Sequence, residues 1–260
     1  MLSLWNILVL AVLQGLTEFI PVSSSGHLVL GQAWLDLALP GLTLEIVLHA
    51  GTLISVLIYY RRKIAGLTVE FLSGRGEGRR YAVWLVLASL PAALLYVAAG
   101  SRVESLFSRP DRVGLLLMAN GLLLFSVYWS RRSDRPLRWH AALAMGIAQA
   151  CALLPGISRS GATISMARRL GIEPRRAAEF SLLMSVPAVA GAMLFDMIAL
   201  AREGGGLPAR VWPLLALGAI VAAGVGWLAI AALVRVLSSG RFWLFGIYCL
   251  AIGALAWRWL

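Results

Sequence analysis

An apolar N-terminal segment is interrupted by Pro21-Val22-Ser23-Ser24-Ser25-Gly26-His27, and a second apolar segment is interrupted by Pro155-Gly156-Ile157-Ser158-Arg159-Ser160-Gly161. The two interruptions align without a gap at a separation of 135 residues, so that Ser23 matches Ser158. Polar residues at membrane depth are costly and commonly belong to a functional site, and paired interruptions are typical of repeated membrane folds. The sequence therefore predicts an internal repeat with a functional site at its two polar turns.

The composition is that of a membrane protein. Hydrophobic residues make up 60% of the chain and charged residues 13%, with a mean hydropathy of +0.83. A soluble domain needs far fewer apolar residues. The net charge of +11 comes mostly from basic residues in short links between apolar stretches, a pattern that sets membrane topology. We therefore predict a polytopic membrane protein with no nucleic-acid partner.

Six apolar stretches have about the 20 residues that a bilayer crossing requires. They lie at 42–60, 82–100, 113–129, 178–200, 211–234 and 242–260. The stretches 2–38 and 140–165 are broken by the polar turns, and we predict that both form re-entrant helix-turn-helix hairpins whose tips meet inside the protein. The predicted fold is an all-α helix bundle, a single transmembrane domain over 1–260 with halves at 1–130 and 136–260.

The distribution of basic residues predicts how this bundle is oriented. With both hairpins treated as re-entrant, sixteen Lys and Arg residues fall on one face and five on the other. The face with the excess is the cytoplasmic one. Both termini are then outside, the first hairpin enters from outside and the second from the cytoplasm. The two halves are therefore predicted to be inverted relative to each other.

The first turn brings together a carboxylate, hydroxyls and an imidazole. Gln14 and Glu18 are four residues apart, so they share a helix face, and an ionised carboxylate at this depth must be paired, hydrated or bound to a cation. Ser23-Ser24-Ser25 can offer hydroxyls and a helix N-terminus to an anion. His27 can serve as nucleophile, proton donor or base. The structural alternatives are a carboxyl that bonds a neighbouring helix, a simple helix cap and a structural histidine.

The second turn carries the basic residue predicted to lie at membrane depth. Arg159 is the only Lys or Arg between Arg138 and Arg168, and a guanidinium fits phosphate oxygens. Further hydroxyl and backbone donors lie close to it in sequence at Ser158, Ser160, Gly161 and Thr163. The alternative is a structural ion pair with Glu18 or Asp196. Together the two turns suit phosphoryl transfer.

Glu45 and His49 are a second tier of ionisable residues. They share a helix face at a spacing of four residues. We interpret them either as a structural pair or as part of the lining of the cavity.

Two long motifs resemble a known family. The run Gln14-Gly15-Leu16-Thr17-Glu18-Phe19-Ile20-Pro21-Val22-Ser23-Ser24-Ser25-Gly26-His27 and the run Pro155-Gly156-Ile157-Ser158-Arg159-Ser160-Gly161-Ala162-Thr163 closely resemble the signature regions of bacterial undecaprenyl-diphosphate phosphatases, also called bacitracin resistance proteins. The resemblance implies hydrolysis of undecaprenyl diphosphate to undecaprenyl phosphate and inorganic phosphate. This reaction recycles the lipid carrier for cell-wall synthesis and gives bacitracin resistance.

The resemblance also implies a cofactor, a location and an architecture. The cofactor is a divalent cation, magnesium or calcium. The location is the bacterial inner membrane, with a site that opens to the periplasm, and the fold has inverted repeats with re-entrant hairpins. The partners are the polyprenyl diphosphate substrate and membrane lipids, and a homodimer is left open.

Carried to this chain, the resemblance implies that Glu18 is a base or metal ligand, that Ser24 and His27 are candidates for nucleophile or acid, and that Arg159 clamps the diphosphate. The remaining substrate contacts are predicted at Gln14, Ser23, Ser25, Ser158, Ser160, Gly161 and Thr163. Many family members have Glu where this chain has Gln14, so a metal site with two carboxylates is not implied here.

A transporter or flippase for a polyprenyl phosphate or another anionic substrate is the competing function. Inverted repeats with broken helices are also typical of transporters. Release of inorganic phosphate distinguishes the phosphatase from a protein that only binds and moves its ligand.

Overall fold

A computed structural model describes residues 3–34, 41–74, 76–107, 110–130, 133–202 and 211–259. Within these ranges the chain is helical, apart from turns and one isolated bridge between Arg135 and Ile172. The helices are α1 (Leu4–Phe19), α2 (Ser24–Trp34), α3 (Gly41–Tyr59), α4 (Arg61–Leu72), α5 (Gly76–Phe107), α6 (Pro110–Phe125), a 3₁₀ helix (Ser126–Trp129), α7 (Trp139–Cys151), α8 (Arg159–Arg169), α9 (Pro174–Arg202), α10 (Trp212–Ser238) and α11 (Leu244–Trp259). The predicted all-α class is confirmed.

Four helical segments are long and apolar enough to cross a membrane. They are Gly76–Gly100, Arg112–Trp129, Pro174–Ala199 and Trp212–Ser238, and they correspond to the predicted spans at 82–100, 113–129, 178–200 and 211–234. At the other two predicted spans, 42–60 and 242–260, the apolar helical segments Ile46–Tyr59 and Leu244–Arg258 are shorter. The chain is a multi-pass integral membrane protein, and these two crossings stay predictions.

The long helices turn large apolar side chains outward. Leu94, Val97, Leu122 and Ile220 are all more than 60% exposed, which in water would be unfavourable but in a bilayer places hydrocarbon against lipid. Trp227 is exposed within α10, but the other described tryptophans that are exposed lie at or near helix ends, as in the aromatic belts of membrane proteins. They are Trp5, Trp129, Trp139, Trp212 and Trp257.

The segment between the predicted spans 42–60 and 82–100 contains a helix that was not predicted. Helix α4 (Arg61–Leu72) has no buried residue, and Lys63 near its start forms an ion pair with Glu179 on α9 at 3.0 Å. At 12 residues the helix is too short to cross a bilayer, and it begins with Arg61-Arg62-Lys63, so a pattern of long apolar spans does not predict it.

The two halves pack in the same pattern. Helix α10 lies against α1 and α3, while α5 lies against α7 and α9. In order along each half, α1, α2, α3, α5 and α6 correspond to α7, α8, α9, α10 and α11. In each half, the second long helix (α5 or α10) therefore packs against the hairpin and the first long helix of the other half.

Helices α6 and α11, which end the two halves, cross at pairs of glycines. A Cβ atom added at Gly114 would lie 2.8 Å from the carbonyl oxygen of Gly253, and one at Gly121 would lie 2.8 Å from that of Gly246. Since the partner number falls as the α6 number rises, the helices are antiparallel. Equivalent helices that run in opposite directions are what an inverted repeat requires.

Candidate active site

The tips of the two hairpins are in contact through the side chain of Ser23 in the first hairpin and the backbone of Gly156 in the second. Ser23 lies between α1 and α2 with a φ of 72°, a left-handed conformation that is uncommon for a residue with a side chain. Its hydroxyl accepts hydrogen bonds from the backbone N–H of Gly26 at 3.3 Å and from that of Gly156, in the other hairpin, at 3.1 Å. The expected meeting of the tips is confirmed.

The repeated serines cap the two short helices in the same way. Ser158 Oγ accepts the backbone N–H of Gly161 at 3.0 Å and lies 3.1 Å from Ser160 Oγ. In the first hairpin Ser23 Oγ accepts the N–H of Gly26 and lies 3.3 Å from Ser25 Oγ. These contacts satisfy N–H groups that a helix N-terminus leaves open. The capping alternative therefore accounts for Ser23 and Ser158, and the substrate contacts of this group stay predictions.

Thr163 is directed to the neighbouring helix. Its hydroxyl donates to the carbonyl oxygen of Arg159 at 2.8 Å and lies 2.6 Å from the hydroxyl of Ser181 on α9. Gly161 packs against α6, because a Cβ atom there would lie 3.1 Å from Leu124 and 3.2 Å from Asn120. Both residues fix the position of α8, and with it the backbone of Arg159.

Glu18 lies at the centre of the polar cluster, near the end of α1, and is buried. Its Oε2 accepts hydrogen bonds from Ser24 Oγ at 2.6 Å and from Gln14 Nε2 at 3.0 Å. His49 Nε2 on α3 lies 3.7 Å from the same oxygen. Gln14 and Ser24 thus both reach the same carboxylate oxygen of Glu18. Gln14 does so because it lies one helical turn before Glu18, and Ser24 does so because the chain folds back at the turn.

Arg159 crosses from the second hairpin to reach this carboxylate. Its Nη2 donates to Glu18 Oε1 at 2.7 Å, while its buried Nη1 has no hydrogen-bond partner. The structural alternative was an ion pair of Arg159 with Glu18 or Asp196, and Arg159 does pair with Glu18. A buried guanidinium that keeps an open donor can also bind a phosphate oxygen.

The imidazole of His27 is held away from the carboxylate. Its Nδ1 lies 2.8 Å from the backbone oxygen of Ser23, and its Nε2 lies 2.9 Å from the hydroxyl of Tyr248 on α11. Both ring nitrogens are therefore occupied by neighbours within the protein. Of the four predicted catalytic residues, the structure brings Glu18, Ser24 and Arg159 into direct contact.

Asn120 and Tyr248 are site residues that the sequence analysis missed. Asn120, buried on α6, donates from Nδ2 to the carbonyl oxygen of Pro21 at 3.1 Å, and its Oδ1 accepts the N–H of Ser158 at 3.1 Å. One amide thus connects α6 to both hairpins. The available signal was a lone asparagine and a tyrosine within otherwise apolar spans. Glu45, from the second tier, has its side chain outside the described part of the structure.

We expect Asn120→Leu to lower kcat for phosphate release at least about tenfold, because it leaves the buried N–H of Ser158 without its acceptor and leaves the Pro21 oxygen with only the 3.8 Å contact to Cys249 Sγ. Turnover and thermal stability of the purified protein measure the effect. Asn6→Leu is the matched control, since Asn6 lies in the first turn of α1 and thirteen residues before the end of that helix. Equal turnover in Asn120→Leu and wild type would contradict the bridging role.

The oxygen atoms around Glu18 fit a divalent cation. The described residues include no cluster of three His, Cys, Asp or Glu side chains, so a cage made only of such ligands is absent there. Gln14 Oε1 is buried without a hydrogen-bond partner, and it sits on the same amide that donates to Glu18. Amide and carboxylate oxygens are ligands of Mg²⁺ and Ca²⁺, and Mg²⁺ commonly takes its other ligands from water and substrate phosphates.

Comparison with known proteins gives one consistent result. The family model described as Bacitracin resistance protein BacA matches residues 7–255. A protein named undecaprenyl-diphosphatase from Salinibacter ruber is 37% identical over 96% of this chain and 97% of its own. Proteins of the same name from Geobacter sulfurreducens and Korarchaeum cryptofilum are 39% and 35% identical, over 94% and 95% of both chains respectively. The chain therefore belongs to the bacitracin resistance protein BacA family.

Proposed function

We propose that this chain is a membrane phosphatase that hydrolyses undecaprenyl diphosphate to undecaprenyl phosphate and inorganic phosphate. The pair of contacts at the Glu18 carboxylate carries the mechanism: Oε2 accepts a hydrogen bond from Ser24 Oγ at 2.6 Å, and Oε1 accepts one from Arg159 Nη2 at 2.7 Å. Ser24, a candidate nucleophile, thus lies beside Glu18, a candidate base, and Glu18 lies beside the guanidinium of Arg159, which can bind phosphate. The relatives named undecaprenyl-diphosphatase support the substrate.

Ser24 is the nucleophile in this proposal. Its oxygen attacks the terminal phosphorus as its proton passes to Glu18, and the bond from that phosphorus to the bridging oxygen breaks, which releases undecaprenyl phosphate. Water then attacks the phosphorus of the seryl phosphate, the bond from that phosphorus to Ser24 Oγ breaks as the proton on Glu18 returns to Oγ, and inorganic phosphate leaves with both hydrogens of the water. The position of Ser24 favours it over His27, whose two ring nitrogens are already hydrogen-bonded.

Arg159 and the surrounding oxygens handle the negative charge. When a diphosphate enters, the open Nη1 of Arg159 can bind a phosphate oxygen. Nη2 can then release Glu18 and bind the substrate as well, which frees the carboxylate to act as a base. Glu18 and the open oxygen of Gln14 would hold a divalent cation. Such a cation neutralises charge that develops on the phosphate oxygens.

Phosphate release from the detergent-solubilised protein tests this function. With undecaprenyl diphosphate or a shorter prenyl diphosphate, the wild type is expected to liberate inorganic phosphate, and EDTA is expected to suppress it. Glu18→Gln is expected to abolish most of the release, while Glu70→Gln on the exposed helix α4 keeps it. Binding of the lipid without phosphate release would refute the phosphatase and favour a transporter.

The same proposal gives the protein a location and an orientation. We infer the bacterial inner membrane, with the arginine-rich face in the cytoplasm and the site open to the periplasm. The excess of Lys and Arg on one predicted face supports this orientation. Single-cysteine labelling of intact cells with an impermeant thiol reagent at exposed ends of α4 and α5 tests which face is outside.

A further inference from the structure

Both nitrogens of His27 have defined partners that fix its tautomer. The backbone oxygen of Ser23 can only accept, so Nδ1 of the neutral ring carries the hydrogen and donates it at 2.8 Å. Nε2 then has only a lone pair, and the hydroxyl of Tyr248 donates to it at 2.9 Å. The two rings are also nearly parallel, with centroids 5.7 Å apart and planes 10° apart. The structure thus favours one tautomer and one ring orientation.

The chain of hydrogen bonds ends on the peptide that precedes the proposed nucleophile. The carbonyl of Ser23 belongs to the peptide unit that joins Ser23 to Ser24, and it accepts both the Nδ1–H and, at 3.1 Å, the backbone N–H of His27. Ser23 has a φ of 72°. Such a conformation persists only where surrounding contacts hold it. His27 therefore supports the backbone that sets the direction of Ser24.

Tyr248 is held by a rigid pair of helices. Gly246, two residues before it, meets Gly121 of α6 so closely that a Cβ atom added there would lie 2.7 Å from the Gly121 carbonyl oxygen. The next residue, Cys249, is buried and accepts a hydrogen bond from Asn120. The close packing of α6 and α11 fixes the backbone on both sides of Tyr248, so its hydroxyl offers a steady anchor for the imidazole.

We propose that Tyr248 and His27 are positioning residues: the Ser23 carbonyl sets the Nδ1–H tautomer of His27, the Tyr248 hydroxyl holds the ring through Nε2, and His27 in turn holds the Ser23–Ser24 peptide for attack by Ser24. This inference rests on the proposed function, and it gives the histidine a role through Nδ1 and not through Nε2. A nucleophilic or acid–base histidine would instead need Nε2 or Nδ1 open to the substrate.

Substitutions of His27 distinguish these roles. The amide nitrogen of asparagine can occupy the place of Nδ1, while that of glutamine reaches the place of Nε2. We expect His27→Asn to keep kcat within about tenfold of wild type, and His27→Gln and His27→Ala to fall well below it, since each loses the hydrogen bond to Ser23. If His27→Asn is as inactive as His27→Ala, the positioning role is wrong.

Tyr248→Phe tests the anchor, because it keeps the ring and removes only the hydroxyl. We expect about a tenfold lower kcat with KM nearly unchanged, and Tyr128→Phe, in the exposed aromatic cluster at the 3₁₀ helix, is the matched control. Nitrogen NMR of ¹⁵N-histidine protein should show the Nδ1–H tautomer for His27 in wild type, and in Tyr248→Phe the Nε2 signal should shift because that nitrogen loses its hydrogen-bond donor. The chain has three histidines, so His49→Gln and His140→Gln assign the signals.

The two readouts separate the failure of this inference from that of the proposed function. The NMR signal requires no turnover, so it reports the tautomer even if the wild type releases no phosphate. An Nε2–H tautomer in wild type, or an unchanged kcat together with an unchanged Nε2 signal in Tyr248→Phe, would overturn the inference. Absence of phosphate release by the wild type would overturn the phosphatase itself.

Discussion

Replacing Arg159 with alanine is expected to lower phosphate release by about 10²–10³-fold, the usual effect of removing a group that stabilises charge in the transition state. Arg159 is the basic side chain that reaches Glu18 from the second hairpin, at 2.7 Å, and its Nη1 is buried with an open donor. Phosphate released per enzyme in detergent measures the effect. Arg169→Ala at the other end of α8 is the matched control, because that arginine is exposed and is expected to matter little.

Loss of the buried ion pair also affects folding, so Arg159→Ala needs a companion variant. Removing one partner of a buried pair leaves an uncompensated charge and is strongly destabilising in general. Arg159→Lys keeps the positive charge beside Glu18 but loses the forked donors that fit phosphate. We expect the lysine variant to retain the thermal stability of wild type and still lose most of its turnover. Near-normal turnover in Arg159→Lys would refute the diphosphate clamp.

The pairing of the two hairpins was predictable because the sequence offers few polar groups at membrane depth. The charged residues of the two apolar hairpins are Glu18 and Asp36 in 2–38 and Arg159 in 140–165. Glu18 and Arg159 are the two that lie within five residues of the polar turns or inside them, and a charge in such a setting needs a partner. The matching serine and glycine positions further indicated that the two turns share a backbone geometry. The contact between Ser23 and Gly156 departs from that symmetry, because Pro21, which matches Gly156 in the repeat, has no N–H to donate to Ser158.

The roles of individual hydroxyls were harder to predict. A serine at a helix N-terminus can bind an anion or cap its own helix, and sequence does not distinguish these uses. The Ser158 hydroxyl accepts the backbone N–H of Gly161. The Ser24 hydroxyl, whose residue matches Arg159 in the repeat, instead donates to Glu18. The difference depends on side-chain directions within one turn, which follow from the folded backbone.

The contributions of α6 and α11 required the tertiary fold. Asn120 lies 99 residues from Pro21, and Tyr248 lies 221 residues from His27, so no local pattern connects them to the motifs. What places them is the close crossing of two glycine-bearing helices. Their glycines were visible in the sequence, but which helices they join depends on packing between the halves.

Ser24→Ala is expected to lower kcat by at least about 10²–10⁴-fold, and Glu18→Gln by a similar factor, because nucleophile and base act together in one step. Groups that act as a unit are not additive. The double variant should therefore be about as slow as the slower single variant. Ser239→Ala, at the exposed end of α10, and Glu70→Gln serve as controls. All variants are compared by phosphate release at saturating prenyl diphosphate.

The same double-variant cycle separates attack by Ser24 from direct attack by water. If Glu18 activates water, Glu18→Gln removes the base, but Ser24→Ala removes only a hydrogen bond to the carboxylate and costs about tenfold or less. If Ser24 attacks, its alanine variant is as slow as Glu18→Gln, and a phosphoserine at position 24 can be trapped by acid quench of the wild type. Ser24 Oγ already lies 2.6 Å from the carboxylate that must take its proton, so the expected outcome is attack by serine. Independent, multiplicative losses in the double variant would contradict it.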